Sequence, residues 1–444
     1  MRTVSTASLY NCPGDLPVSE VWHRRSVMSI LARLTRVWLT RQLQPFTFKN
    51  EYDEKLDFAG CEGLGLYVHI PFCRQLCSFC PYCREIYDAK ACDEYIDHLI
   101  REIHMVGSRL KEKKHVTSLY FGGGTPALAA DRIGEIIAAI DEHFIITEGI
   151  GLELHPDNVS EETLTALRRA GVSKICIGVQ SFRDKYLSIL GRRDPDPAQL
   201  TEALKKVQFE TVSMDFIFML PGQTLDDLKA DIEMAFSIGA NHVAIYPFID
   251  FAFAGSGIEP MRKQEKRKLL DDITLYCQSK GYVRDSIWTY SNKPGSKYSS
   301  MTRDNYLGFG CSAATLLRDQ FKINTFSVKE YQKRIRNNTL PTSLTLRFTE
   351  RQRMIYYLFW YAYSTKVDPR EFENFFGVSL KKAYGFELWL AKKLGFVTEE
   401  DGILRMTLKG AFYYHHYENY YTLAYIDKMW GIMRHDAFPQ KIIM

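Results

Sequence analysis

From residue 64 to about residue 250 the chain alternates short apolar runs with longer stretches whose apolar residues recur every three or four positions. The short runs are rich in Val, Ile, Leu and Phe with little polar alternation, which predicts strands buried on both faces; the longer stretches predict amphipathic helices. Strands are expected at 64–70, 116–121, 151–154, 174–179, 212–219 and 242–247, and helices at 92–110, 130–143, 161–170, 199–207 and 225–238. Strands alternating with helices in this way make βα units and a parallel sheet, an α/β architecture.

The flanks read differently. Residues 22–43 are basic and amphipathic, with Arg24, Arg25, Arg33, Arg36 and Arg41 among Ile30, Leu31, Leu34, Val37, Trp38 and Leu39. An organelle-targeting or membrane-surface helix would look like this, but the aromatic and aliphatic face favours a helix docked on the main domain. Gly255, Gly257 and Pro260 mark a linker before a charged helix at 261–280, and 291–312 is polar and aromatic. After Pro341, helices at 349–361, 369–376 and 381–394 followed by two strands around Asp401-Gly402 outline a winged helix. Lys381, Lys382, Lys392 and Lys393 could meet phosphate in a DNA-binding module. The aromatic load, including Tyr356, Tyr357, Phe359, Trp360, Tyr361, Phe375, Phe376, Tyr384 and Trp389, argues instead for packing or for a hydrophobic ligand pocket, so a substrate-covering domain is favoured.

Composition narrows the partners. A net charge of +4 over 444 residues gives no general argument for nucleic acid or an acidic membrane surface. No apolar window is long enough to span a bilayer, and the N-terminus lacks a signal-peptide pattern. Ten cysteines, four of them in one loop, suit a reducing compartment, so a cytoplasmic protein is expected.

That loop carries the chemistry. Cys73, Cys77 and Cys80 follow the first strand at C-x-x-x-C-x-x-C spacing, three soft ligands suited to an iron-sulfur cluster. Three protein sulfurs on a 4Fe-4S cluster leave one iron open to chelate a substrate or cofactor. Structural zinc is the alternative, with Cys83 as fourth ligand; the crowding of all four into one loop, followed by a glycine-rich loop that zinc does not need, favours the cluster. The Gly122-Gly123-Gly124-Thr125-Pro126 segment lacks the lysine of a P-loop and the spacing of a dinucleotide fold.

These motifs resemble the radical S-adenosylmethionine superfamily, and within it the oxygen-independent coproporphyrinogen III oxidase-like (HemN-like) family. The likeness rests on Tyr67-Val68-His69-Ile70-Pro71-Phe72-Cys73, Gly122 to Pro126, Glu153 and Pro156, Gly178-Val179-Gln180-Ser181-Phe182, Arg192, and Asp215 ahead of Leu220-Pro221-Gly222-Gln223-Thr224. It implies a partial (βα)6 TIM-like barrel at 61–255, an N-terminal helical extension at 1–60, a linker and barrel-closing region at 256–340 that contains the glycine-rich turn Tyr306-Leu307-Gly308-Phe309-Gly310, and a winged-helix-like α+β domain at 341–444. It also implies a cluster on Cys73, Cys77 and Cys80, and S-adenosylmethionine, two molecules of it, held by Tyr67, Phe79, Gly123, Gly124, Thr125, Glu153, Gln180, Arg192, Asp215 and Ile249. Tyr67 and His155 join the cysteines as catalytic candidates; His155 reads equally well as a proton shuttle or as a polar neighbour of the cofactor. The expected partners are a small-molecule substrate and an electron donor such as flavodoxin or ferredoxin, with the chain a monomer and nucleic acid not expected.

The chain departs from the family pattern at Tyr82, which stands where a further cysteine is usual, at Cys83, at His155 and in its N-terminal region. These departures point to the methylase and cyclopropane-forming branch, hence to carbon transfer onto a small, aromatic substrate. Coproporphyrinogen oxidation, anaerobic haem or porphyrin modification, and a non-enzymatic haem chaperone are the alternatives.

Overall fold

The computed structural model describes residues 30–51, 56–251, 258–259, 261–292 and 304–444. The expected linker residues Gly255, Gly257 and Pro260, and the first part of the 22–43 segment, lie outside them. Of that segment, Ile30–Thr40 is helical. Its Trp38 ring meets Phe386 at 6.1 Å, and Arg41 pairs with Glu387 at 2.6 Å, so this helix docks against the C-terminal region.

The central strands are β1 (Leu64–Ile70), β2 (Leu119–Gly123), β3 (Ile150–Leu154), β4 (Lys174–Gln180), β5 (Thr211–Phe218) and β6 (His242–Pro247). All are parallel, in the order β6-β5-β4-β3-β2-β1. Helices α1 (Ala89–Gly107), α2 (Ile133–Asp141), α3 (Glu161–Arg169), α4 (Pro197–Lys206) and α5 (Leu225–Ile238) connect them. The expected strand at 116–121 divides in two: Lys114–Val116 pairs with Phe144–Ile146 outside the barrel, and only Leu119 onward enters the main sheet.

A seventh strand, β7 (Asn305–Phe309), lies parallel to β1 on its far side. The glycine-rich stretch expected to close the barrel is thus largely strand, and the turn proper is Gly310-Cys311-Ser312. Antiparallel strands extend the sheet at both ends: Thr289–Ser291 and Val283–Arg284 beside β6, then Ala314–Leu316, Gln320–Asn324, Thr342–Arg347, Thr47–Lys49 and Lys441–Ile443 beyond β7. The sheet therefore runs on past residue 341, and the last strand returns to lie beside Thr47–Lys49.

Burial within the strands explains both the apolar runs and their interruptions. All residues of β1 are buried except Tyr67, all of β3 except Glu153, all of β5 except Asp215, and all of β6 except Tyr246. Helices cover the outer face, and these four half-buried polar side chains mark the inner face.

Two of the sequence motifs are architectural here. Thr224 caps α5 in a reciprocal box with Asp227, while Gln223 bonds back to Leu220 and Ile217, closing the turn after β5. Ser181 donates to Asp231 at 2.7 Å, pinning the end of β4 to α5. The turn after β7 is held from α1: Glu102 accepts from the Gly310 amide and the Tyr331 hydroxyl, each at 2.7 Å, and from Asn324 at 3.3 Å.

After β7 come α6 (Glu350–Tyr363), helices Pro369–Phe376 and Leu380–Lys393, and a hairpin of Val397–Glu400 with Ile403–Met406 to which Lys366–Val367 adds a third strand. This winged-helix outline packs Met354, Tyr357, Phe372, Phe376, Leu380, Tyr384 and Leu404 into its own core. Helix α7 (Leu408–Tyr425) follows, then a π turn at Ile426–Trp430 and the short helix Gly431–His435. No helix among the described residues is long and apolar enough to cross a membrane.

Candidate active site at the barrel mouth

The cysteine loop is closed at its base by a short parallel ladder, Phe72–Cys73 against Glu85–Ile86. The glycine loop after β2 lies directly on it: Gly124 donates to Ile70 O at 2.9 Å, Thr125 N donates to Phe72 O at 2.7 Å, and Thr125 Oγ1 sits 3.6 Å from Cys73 Sγ. A Cβ on Gly124 would stand 2.5 Å from Phe72 O, so only glycine permits this approach. Arg192 reaches in from beyond β4, donating to Cys77 Sγ at 3.2 Å and to Gly178 O at 2.6 Å. Burial pushes the Cys73 thiol up to about 11 and raises Cys80 as well. Such thiols keep their protons at neutral pH until a metal centre displaces them.

Among the described residues, the ligand atoms that converge within 4.8 Å are those of His104, on α1, and of Glu142 and His143, in the turn after α2, away from the cysteine loop. Cys83 is turned away altogether. Its buried thiol lies 3.8 Å from Cys311 Sγ and donates to Phe326 O at 3.2 Å, which removes it as a fourth ligand.

His69, which sequence reasoning treated only as part of a motif, organises the centre of the mouth. Its Nε2 lies 3.1 Å from Cys83 O, an acceptor only, so Nε2 carries the proton and Nδ1 accepts from the Tyr67 hydroxyl at 3.1 Å. Burial holds the ring pKa down to about 4, keeping it neutral. Ser312, at φ +58°, brings its Oγ to 3.3 Å from the same Nε2. The ring rests on Gly123, where a Cβ would lie 2.6 Å away. Tyr67 is thereby fixed beside Gly122 and Glu153.

Glu153 accepts from Tyr120 OH at 3.2 Å and from the Gly123 amide at 3.3 Å. Burial, with Asp215 nearby, raises its carboxyl to about 7; burial alone raises Asp215 to about 7. Asp215 keeps one buried oxygen, Oδ1, with no hydrogen-bond partner. Gln180 closes β4 at φ +72°, a conformation uncommon outside glycine and frequent at functional sites. Phe79 packs with Tyr186, Leu190, Ile217, Leu220 and Phe248, and Ile249 lies half-buried just past β6. His155 is occupied as a cap: its Nδ1 accepts from Asp157 N at 3.2 Å, and burial together with Arg192 lowers it to about 4. Only Nε2 remains for any other contact.

The structure thus brings Cys73, Cys77, Tyr67, Gly123, Gly124, Thr125, Glu153, Gln180, Arg192 and Asp215 to one end of the parallel strands, where α/β folds assemble active sites. It adds His69, Ser312 and Tyr82 to those expected. The Tyr82 ring packs at 5.7 Å, tilted, against Trp430, and Arg434 donates to the carbonyls of Pro81 and Tyr82 at 2.7 and 3.0 Å, so the C-terminal segment holds the cysteine loop.

Residues 67–235 match the model of the Radical SAM superfamily. The chain carries a radical SAM domain. It is 25% identical over 363 residues to the "Heme chaperone HemW" of Bacillus subtilis (78% of this chain, 95% of that one), and 24% identical over 384 residues to the "Oxygen-independent coproporphyrinogen III oxidase" of Pseudomonas aeruginosa (78% and 81%). Its fold is that of the coproporphyrinogen III oxidase HemN from Escherichia coli, with a TM-score of 0.68 and 20% identity over 94% of this chain and 99% of that one. A match to this superfamily implies a 4Fe-4S cluster and S-adenosylmethionine.

The donor set fits both groups. Three soft sulfurs on one short loop, with Cys83 taken up in the core, suit a cluster that leaves one iron open. The unpartnered Asp215 Oδ1, the Glu153 carboxyl and the Arg192 guanidinium suit a ligand with hydroxyls, an amine and a carboxylate.

Proposed function

We propose that this chain is a radical S-adenosylmethionine enzyme acting on a tetrapyrrole or a close precursor of one. The sequence relatives carry the substrate class, since the Bacillus subtilis protein is named for haem and the Pseudomonas aeruginosa protein for coproporphyrinogen. The mouth geometry supports catalysis: Arg192 bridges the Cys77 sulfur and the end of β4, linking a cluster ligand directly to the cofactor pocket.

When bound, the cluster and cofactor supply a 5'-deoxyadenosyl radical by one-electron cleavage of S-adenosylmethionine. The protein's part is placement. Cys73, Cys77 and Cys80 would anchor the cluster, and the side-chain-free edge at Gly123 and Gly124 would take the methionine amine. Arg192 would pair with its carboxylate, and Glu153 and Asp215 would accept from ribose hydroxyls. Phe79 and Ile249 would pack against the adenine, with Gln180 as a further polar contact. Tyr67, held by neutral His69, sits where it can orient the reacting group without exchanging its proton readily. How many cofactor molecules bind, one or two, is read from titration. The electron would come from a flavodoxin- or ferredoxin-type protein to this chain as a cytoplasmic monomer.

Carbon transfer by methylation or cyclopropanation is not supported by these relatives. Two of the departures that suggested it have structural explanations here, since Cys83 is a core thiol and His155 a turn cap. The test is anaerobic reconstitution with S-adenosylmethionine, a low-potential reductant, and either coproporphyrinogen III or haem. Catalysis on a tetrapyrrole requires 5'-deoxyadenosine release that increases with one of them and a changed tetrapyrrole product. S-adenosylhomocysteine and methyl label in a non-tetrapyrrole product would restore the carbon-transfer reading. Haem binding with no product would support a chaperone.

A further inference from the structure

The end of the barrel opposite the mouth carries a side-chain cluster that the site just described does not use. Parallel strands joined through helices make each helix run back against the sheet, so the C-termini of α1 and α2 both lie at the N-terminal ends of the strands. His104 stands in the last turn of α1, and Glu142 and His143 directly follow α2. His104 Nδ1 is 3.1 Å from His143 Nε2 and 3.6 Å from Glu142 Oε2. All three ligand atoms lie within 4.8 Å of one another.

The fold itself holds this arrangement. The His143 ring lies over Gly107, where a Cβ would come 2.2 Å from its Cγ, so the approach of the turn to α1 requires glycine. His143 is also fixed through its main chain. Its N donates to Ile140 O at 3.0 Å, and its O accepts from Lys114 N at 3.0 Å, at the head of the ladder pairing Lys114–Val116 with Phe144–Ile146. The two imidazole rings cross at 77° with centroids 5.3 Å apart, which brings nitrogen to nitrogen instead of stacking the faces. A cation is favoured here, since two helix C-termini, each with its partial negative charge, meet beside a carboxylate. The opposing charge, Lys113, acts on His143 from an exposed position, where solvent screens it.

We propose that His104, Glu142 and His143 bind a divalent transition-metal ion, zinc by preference, and that the ion clasps α1 to the turn after α2. Two imidazole nitrogens and a carboxylate oxygen suit such an ion. Zinc bonds of about 2.0 to 2.1 Å at tetrahedral angles set neighbouring ligand atoms about 3.3 Å apart, close to the 3.1 and 3.6 Å found. Without metal, one of the two facing nitrogens donates to the other. On binding, that proton moves through solvent to the far nitrogen of its own ring, which turns both lone pairs to the ion. The His104 and Glu142 side chains are 40% and 65% exposed, so water reaches the fourth position. Across the barrel from the cysteine loop, the ion braces the fold and takes no part in radical chemistry, and the assignment is independent of the tetrapyrrole reading above.

The test uses untagged full-length protein with its cluster reconstituted, so that the loop cysteines are occupied, titrated anaerobically with zinc chloride by calorimetry. One zinc per chain beyond the cluster is expected, with a melting temperature that rises as zinc is added. His104→Ala and Glu142→Gln alter partly or largely exposed side chains, so each should melt like the unsubstituted protein once zinc is removed by a chelator. Each should weaken zinc binding at least about tenfold and lose the zinc-dependent rise. Release of 5'-deoxyadenosine from S-adenosylmethionine should be the same in all three proteins, with or without zinc. Failure of the unsubstituted protein to take up one zinc beyond the cluster overturns the assignment, as does zinc binding of unaltered affinity in both variants.

Discussion

Cys83 stands three residues past Cys80, yet its thiol belongs to the core beside Cys311. Cys83→Ala is expected to keep its iron after anaerobic reconstitution while losing about 1 kcal/mol of stability; Cys73→Ala, Cys77→Ala and Cys80→Ala should each lose the iron and the brown charge-transfer absorbance. Equal iron loss in all four would return Cys83 to the ligand set. Arg192→Ala should keep the cluster and weaken S-adenosylmethionine binding about ten- to a hundredfold, because a charge-assisted contact worth roughly 1.5 to 3 kcal/mol goes with it; equilibrium binding decides this. At this scale the sequence was informative where a residue type has few uses. Three cysteines at that spacing, or a carboxylate inside an apolar strand, announce themselves. The role of His69 was not legible, because it depends on Cys83 O and Ser312, which reach it only through the fold.

The parallel strands were legible as elements because burial on both faces leaves no polar positions except the ones facing the lumen. β7 was not. Its five residues include Gly308, and its pairing with β1 joins positions some 240 residues apart, which no local pattern encodes. The turn after β7 depends on Glu102, buried at 2% exposure and raised to about 7 chiefly by that burial. The sign follows from the proton it gains. Between about pH 7 and its unfolded value near 4.5, the folded protein holds a proton the unfolded chain does not, so folding is favoured as pH falls through that window. Relative to Glu102→Gln, the unsubstituted protein should gain up to about 3 kcal/mol between pH 8 and pH 4.5, measured by denaturant unfolding at several pH values. A constant difference would show that Glu102 stays ionised. Gly124→Ala tests the loop contact: the added Cβ meets Phe72 O, and about 1 to 3 kcal/mol of stability should be lost together with cluster uptake.

Across the whole molecule, distant segments are brought together, and the last of them reaches the cysteine loop. Thr47–Lys49 lies between Thr342–Arg347 and Lys441–Ile443, and Trp430 and Arg434 rest on residues 81 and 82. The winged-helix outline after residue 341 was readable from its helix and hairpin signals. That the chain then returns to the main sheet was not, since a three-residue edge strand has too little pattern to register. Trp430→Ala should cost about 2 to 4 kcal/mol and increase amide exchange across residues 82–84. Unchanged exchange there would show that the loop is held without the tail.

The tail contact also sets an order of events during synthesis. Residue 82 emerges about 350 residues before Arg434, which at 5 to 20 residues per second is about 20 to 70 s. For that interval the nascent cysteine loop has no clasp, so cluster delivery has its easiest access then, and oxidation its greatest opportunity. A ribosome-stalled chain ending before residue 426 should accept a cluster faster than the finished protein, and should lose it faster in air.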